Sequence, residues 1–434
     1  MAAVRRRSRV ILWGAATAAG LGFLIALEII ARGYGSPGPI TEQAEEVIVA
    51  PHSGPLLYGG LALMMVVLTW RQRAVALGTA IAIDLVFWFV RWLVDAEMNY
   101  GNGALWVILG CAVLAVTRRT GRDRVLLLKG VGLGLLLVAG HKTGATWLLI
   151  TSMTRPDVLD QYVATADLAL GAPSWLVGEM VDASGPVGER ILGSVYGQLP
   201  LAAALVALYQ LRRVAVDGRF PGHHLVRTFL VIGLLGPAVY MIFPVVGPVF
   251  AYGAEGGHWA VANMWPNTPP PIGTPHPFRF DEITPRNCMP SLHTAWATTI
   301  FVHSREGSRL IRFAGTFWLV ATLAATLGFG YHYGVDLVAG VVFALTVEAA
   351  MRAFDRGWDQ TAALLVAYGA AVFAAMLLSY RYLPVEMARR PWVFGPLLIL
   401  AMASVIHRYI RTTRQWDPKA TPLDPLGPPR LLPA

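Results

Sequence analysis

Polar and apolar positions along this chain do not alternate; they gather into long apolar runs divided by short polar joints. Runs near 10–30, 55–70, 74–94, 103–117, 125–151, 186–211, 225–250, 289–304, 310–329, 331–351, 361–383 and 393–410 reach or approach the roughly 20 residues that a helix needs to cross a bilayer. Continuous apolar character excludes the dyad pattern of a membrane β-barrel. Helices, whose backbone polar groups are satisfied internally, are what remains. The pattern predicts an all-α polytopic membrane protein with about twelve transmembrane helices.

Three stretches break the pattern. Residues 152–185 mix apolar positions with Asp157, Asp160 and Asp167, which predicts one or two amphipathic helices lying along the external interface. Residues 253–287 hold Trp259, Trp265 and the run "WPNTPPPIGTPHP"; so long a loop fits a lid or a rim for substrate access better than a connector. The Pro-rich end, 416–434, reads as a disordered tail.

Composition agrees with a membrane protein. Of 434 residues 55% are hydrophobic and only 14% charged, against about 25% charged in soluble chains; mean hydropathy is +0.53. The net charge of +9 does not imply nucleic acid, because the arginines sit in particular joints. Arg5, Arg6, Arg7 and Arg9 precede the first run; Arg71 and Arg73 follow the second, and Arg118, Arg119, Arg122 and Arg124 the fourth. Arg212, Arg213 and Arg219 follow the sixth run, Arg305, Arg309 and Arg312 the eighth, Arg352 and Arg356 the tenth, Arg408, Arg411 and Arg414 the twelfth. Basic joints face the cytoplasm, so a multi-pass protein of the cell membrane with both termini inside is expected. One joint dissents: 381–391 should be external yet holds Arg381, Arg389 and Arg390. The basic start resembles a signal peptide, but its apolar run is too long, contains Glu28 and lacks a small-residue cleavage site. Cys111 lies inside a run and Cys288 beside a motif, so no disulfide is expected.

That sidedness places His293, at the start of the eighth run, and His332, at the start of the tenth, at one depth on the external side. In "HYGVD" (332–336) His332 and Asp336 are four apart, on one face of a helix and a turn away from each other. The carboxylate can fix the imidazole tautomer and steady the cation formed on attack; read structurally, the pair simply caps a span. In "MPSLH" (289–293) Pro290 ends the loop and Ser291 caps the next helix, whose free N–H groups suit an anion. His293 in that first turn can protonate a leaving oxygen. A nucleophile, its orienting acid, a proton donor and an anion cradle are the parts of phosphoryl transfer through a phosphohistidine.

These stretches resemble the membrane-bound type-2 phosphatidic acid phosphatase superfamily: "PSLH" its second motif, usually Pro-Ser-Gly-His, and "HYGVD" its third, His-x3-Asp. The resemblance implies a six-helix core, here 125–351, with His332 as nucleophile, Asp336 as activator and His293 as proton donor. The first family motif, Lys-x6-Arg-Pro, is not intact: Arg155–Pro156 is present, but the nearest upstream lysine, Lys142, comes too early. Where the third motif usually has an arginine six residues before its histidine, this chain has Thr326. A phosphomonoester is nearly a dianion and rewards several fixed cations, a diester fewer. The loss points to transfer of a lipid headgroup, as in the inositolphosphotransferase branch with fungal inositol phosphorylceramide synthases and sphingomyelin synthases. "FPVVGPVFAY" (243–252) and "RPDVLDQYVATADLALG" (155–171) resemble bacterial members of that branch. It implies ping-pong transfer from a phospholipid or polyprenyl-phosphate donor to a hydroxyl-bearing acceptor.

Ser291, Arg155, Lys142 and Arg286 are the candidate phosphate or substrate ligands, and His141 beside Lys142 could line a polar cavity. Asp84 and Arg91 are read as structural, each pairing with a neighbouring helix. His258 and His276 lack ligand spacing and no metal motif is present, so neither metal nor cofactor is expected. Two alternatives stay open: a phosphatase acting on lipid phosphate or isoprenoid pyrophosphate, and, of another class, a multi-span transporter using Asp84 and Arg91. The expected organisation is a four-span region (1–120), a six-span catalytic core with external segment and lid loop (121–356), two further spans (357–415) and the tail (416–434).

Overall fold

A computed structural model describes residues 2–48, 54–252, 273–280 and 283–416. Most of the predicted lid, with His258, Trp259 and Trp265, and nearly all of the predicted tail lie outside the described residues. Helix α1 (Ala2–Gly33) and the short α2 (Pro39–Ile48) lead into α3 (Gly54–Met65), α4 (Trp70–Leu93), α5 (Asn102–Thr117) and α6 (Gly121–Thr154). Next come β1 (Asp157–Val158), α7 (Asp160–Asp167), α8 (Pro173–Ala183), α9 (Gly185–Gly197), α10 (Leu199–Leu211), α11 (Val214–Asp217), α12 (Leu225–Ile242) and α13 (Pro248–Tyr252). The remainder is β2 (Phe278–Arg279), α14 (Leu292–Ser304), α15 (Arg309–Gly328), α16 (Gly334–Arg356), α17 (Gln360–Tyr382), α18 (Pro384–Arg389) and α19 (Pro391–Trp416).

The all-α membrane architecture is as expected, but the helices are less uniform than the apolar runs. Among the described residues eight helices are long and apolar enough to span: α4, α6, α10 continued through α11, α12, α15, α16, α17 and α19. The run 186–211 is broken between α9 and α10, where Pro200 in the first turn of α10 has no N–H to extend the preceding ladder. The thirteen residues of α14 rise only about 20 Å, short of the roughly 30 Å hydrocarbon core. Its start is set by the Ser291 cap, whose Oγ accepts from Thr294 N. The run 225–250 ends as a helix at Ile242, before Pro244 and Gly247 turn the chain.

Helix α16 is the axis of the C-terminal half, with 78% of its span buried by protein. Val335, Val338, Ala339, Val342, Leu345 and Ala349 fill the core around it. Gly340 lets α14 come close: a Cβ there would lie 2.7 Å from the Ser291 carbonyl oxygen. The two helices run in parallel, since their N-termini meet at Ser291 N and Asp336 O (3.3 Å) and their far ends at His303 Nε2 and Glu348 Oε2 (3.1 Å). In the N-terminal region Asp84 accepts from Tyr58 OH on α3 and from Gly103 N on α5, both at 2.8 Å. Arg91 donates to Asn102 Oδ1 at 2.6 Å. Both residues therefore tie neighbouring helices together, as expected of them.

The segment 152–185 differs from the interfacial helices predicted for it. Asp157 is exposed, but Asp160 and Asp167 are fully buried, because α7 folds inward against α16 and α17 instead of floating on the interface. The end of the lid loop is pinned beside it: β2 pairs antiparallel with β1, Asp157 opposite Arg279 and Val158 opposite Phe278.

Candidate active site

Two loops and two helix starts build the site. Val245 pairs with Asn287 and Cys288 N donates to Val245 O at 3.0 Å, fixing the approach to Pro290 and Ser291. From the Ser291 cap, α14 presents His293 in its first turn. Its ring stacks on Tyr196 of α9, 3.9 Å between centroids and 16° between planes. The edge of Trp296 stands 5.9 Å away. The centroid of His332 lies 6.5 Å from that of His293, so the two motifs meet around one small volume.

His332 does not begin α16. It lies in the turn before it, with Tyr333 as N-cap and Gly334 as the first helical residue, which corrects the picture of His332 and Asp336 stacked on one helix. Consequently the imidazole is oriented mainly by a backbone group: Nδ1 is 2.8 Å from the Cys288 carbonyl oxygen and 3.5 Å from Asp336 Oδ2. A carbonyl oxygen only accepts, so Nδ1 carries the proton and Nε2 keeps its lone pair. Asp336 Oδ2 instead accepts from Tyr333 N (2.8 Å) and from the Cys288 thiol (2.6 Å). Its Oδ1 is buried and has no hydrogen-bond partner among the described residues.

Electrostatics favour a neutral imidazole at position 332. Burial pushes both imidazoles down to about 3, His332 opposed in part by its bond to Cys288 O and His293 lowered further by His332. His293 can therefore serve as proton donor only once an anionic substrate beside it raises its proton affinity. Burial, reinforced by Asp336, pushes the Cys288 thiol well above its ordinary value, so it is a donor and not a thiolate. Cys288 supplies both the carbonyl that sets the tautomer and the thiol that steadies Asp336. Sequence reasoning placed it merely beside a motif. Cys288, His332 and Asp336 bring one potential metal-ligand atom each within 4.8 Å of one another, as do His223, His303 and Glu348 at the opposite end of α14 and α16. In both groups these atoms are engaged in hydrogen bonds. Gln210 accepts from Leu225 N through Oε1 and so turns its NH2 toward His303 Nδ1. His303 Nε2–H thus points at Glu348.

The predicted phosphate ligands scatter. Ser291 is fully buried and its hydroxyl caps α14. Lys142 is buried on α6 with Nζ 3.6 Å from Glu42 of α2, a partner from the N-terminal region. Arg286 is 1% exposed; its guanidinium donates to the carbonyls of Arg155 (2.9 Å), Thr284 (2.7 Å) and Phe280 (2.7 Å). That makes it a strut between the lid's end and α6, and corrects the expectation of a cation offered to phosphate. Arg155, at the C-cap of α6, is exposed. Thr326, where the family motif has arginine, turns its hydroxyl to Thr322 O. The dissenting arginines of the 381–391 joint have local partners: Arg381 stacks 3.9 Å over Tyr162, and Arg389 and Arg390 each reach Glu386 at 3.7 Å.

Residues 162–350 match the PAP2 superfamily, and residues 11–150 match a domain of unknown function, DUF5933. No curated protein and no solved structure matches the chain. The 162–350 segment runs from α7 through most of α16 and contains His293, His332 and Asp336. The match supports the type-2 phosphatidic acid phosphatase superfamily, whose membrane proteins are broadly lipid phosphatases and phosphotransferases. The fold is not transporter-like, and the transporter alternative ends there.

Proposed function

We propose that the protein is an integral-membrane phosphotransferase that moves a phospho-headgroup between lipids through a phosphohistidine at His332, on the extracytoplasmic face. One observation carries this reading: two imidazoles 6.5 Å apart, one with Nδ1 tied to a carbonyl. That 6.5 Å separates the ring centroids, and a phosphoryl group held between the rings is within reach of a nitrogen of each. His332 Nε2 attacks phosphorus, the phosphorus–oxygen bond to the leaving alkoxide breaks, and His293 gives that oxygen its proton. The ring then carries positive charge beside Asp336. In the second half His293 takes the proton of the acceptor hydroxyl, its oxygen attacks phosphorus, and the phosphorus–nitrogen bond breaks.

Transfer is favoured over hydrolysis by the fate of the cations. Lys142 is paired with Glu42, Arg286 is spent on carbonyls and Thr326 stands where an arginine would be. Arg286 keeps its charge, but with its donors committed, Lys142 neutralised and no arginine at 326, fewer cationic donors are left for phosphate. Such a site suits a singly charged diester better than a phosphomonoester dianion. This supports the inositolphosphotransferase-like branch. The external face is supported by the arginine pattern of the joints. The test is to incubate purified protein with labelled phospholipids and polyprenyl phosphates, with and without hydroxyl-bearing acceptors. Acceptor-dependent movement of label into a new lipid is expected; release of inorganic phosphate at the same rate without acceptor would establish the phosphatase instead.

A further inference from the structure

The two stretches singled out in sequence beside the motifs, 155–171 and 243–252, hold none of the three reacting groups. Both nevertheless end on the same turn, residues 330–335, which carries His332. From one side Val249 N donates to Gly330 O at 2.9 Å. Gly247, at φ +105°, passes so close to the Tyr331 carbonyl that a Cβ would overlap it. From the other side Ser174 Oγ donates to His332 O at 2.7 Å, Tyr333 OH donates to Asp160 Oδ1 at 2.9 Å, and Val335 N donates to Asp167 Oδ1 at 2.9 Å. Asp160 also joins the two stretches to each other, accepting from Val246 N at 3.0 Å and Gly247 N at 2.8 Å. At Gly334 a Cβ would overlap Pro173, so α8 docks without room for a side chain.

We infer that Asp160 and Asp167 are positioning residues for the phosphoryl-transfer step: they form a collar around 330–335 that fixes the His332 imidazole relative to His293. Burying two carboxyls is costly unless they are hydrogen-bonded. The bonds that offset it here run to the 330–335 turn itself, through Val335 N and Tyr333 OH, and to the loop packed on it, through Val246 N and Gly247 N. The two are seven residues apart, on one face of α7 and its continuation, and that face is the one turned to the catalytic turn. Their chemistry differs in a testable way. Asp167 uses only Oδ1; its Oδ2 has no partner, so an amide can replace it with the NH2 at the idle position. Asp160 uses both oxygens as acceptors, so an amide NH2 would meet a backbone N–H or a phenol O–H.

The inference rests on the phosphohistidine reading, and the experiment separates the two. Variants are purified in lipid nanodiscs, and labelling of His332 by a radiolabelled phospholipid is followed by rapid quench, with KM measured alongside. Misplacing a reacting group by about 1 Å costs on the order of a hundredfold. Asp167→Ala is therefore expected to slow labelling about a hundredfold at unchanged KM, Asp167→Asn to recover most of that rate, and Asp160→Asn to remain slow. Tyr333→Phe, which removes one oxygen, is expected to slow labelling about tenfold and keeps the test available should Asp160→Asn fail to fold. Wild-type labelling in Asp167→Ala or in Tyr333→Phe would overturn the collar, as would equal loss in Asp167→Asn and Asp167→Ala. If instead the His332→Ala control is labelled like the wild type, the phosphohistidine reading itself fails.

Discussion

Removing only the charge of Asp336 should slow phosphoryl transfer by about three orders of magnitude. The substitution is Asp336→Asn, whose side-chain oxygen can still accept from Tyr333 N and the Cys288 thiol at the Oδ2 position. The tautomer of His332 should also survive, because the Cys288 carbonyl sets it at 2.8 Å. What disappears is the negative charge 3.5 Å from Nδ1, which faces the positive ring of the phosphorylated histidine. Coulomb's law at that separation, with an effective dielectric constant of about 20, gives about 5 kcal/mol, and each 1.4 kcal/mol is roughly tenfold in rate. Single-turnover labelling with a phospholipid donor reads the chemical step directly. KM should hold, since the charge acts on a state that the bound ground state has not reached. Asp336→Ala should be as slow and also lose about 1 kcal/mol of stability with the helix cap. A rate for Asp336→Asn within tenfold of the wild type would refute the electrostatic role.

Other outcomes follow from the packing. Gly340→Ala should wedge α14 from α16 at the Ser291 carbonyl, lowering stability by about 1–3 kcal/mol and slowing turnover; thermal unfolding and single-turnover rates check both. Glu348, at the far ends of the same helices, accepts from His223, Arg352, Tyr409, Thr228 and His303. Glu348→Ala should cost about 3–5 kcal/mol while turnover per folded molecule stays close to normal, about 18 Å along the helix from Asp336. Burial pushes the Asp167 carboxyl up to about 8. The native state then keeps a proton that the unfolded chain releases near pH 4, and stability falls as pH rises from about 4 to about 8. Melting temperatures measured across that range should fall less steeply in Asp167→Asn; an unchanged slope would contradict the assignment.

Much of this site could be read from the chain before any fold was known. The arginines in alternate joints put residues 293 and 332 on one side, and motif spacing put His293 at a helix start; His332 lies in the turn before α16 instead, and the parallel α14 and α16 bring the two together. What could not be read has a common physical origin. The acceptor that orients His332 is a backbone carbonyl, identical in every residue type, so nothing in "CMPSLH" marks Cys288 O as special. Lys142 and Arg286 look available as cations because their partners, Glu42 and three loop carbonyls, are brought to them only by tertiary packing. Helix α7 was misjudged for the opposite reason: aspartates in a mixed segment suggest a wet face, and only the unpaired N–H groups of a distant turn make burial worthwhile. The seven-residue spacing of Asp160 and Asp167 was the one local clue. Pro200 likewise announced the break between α9 and α10, in a run whose hydropathy masked it.

The most direct test of the central claim is to look for the covalent intermediate. Protein mixed with a labelled phospholipid donor, without acceptor, should be quenched under alkaline conditions and digested, and the modified residue located by mass spectrometry. An acid-labile phosphoryl group on the peptide containing His332, absent from His332→Ala and discharged by adding a hydroxyl-bearing lipid, is the result expected. Full turnover with no label at His332, or with label on His293 instead, would contradict the account.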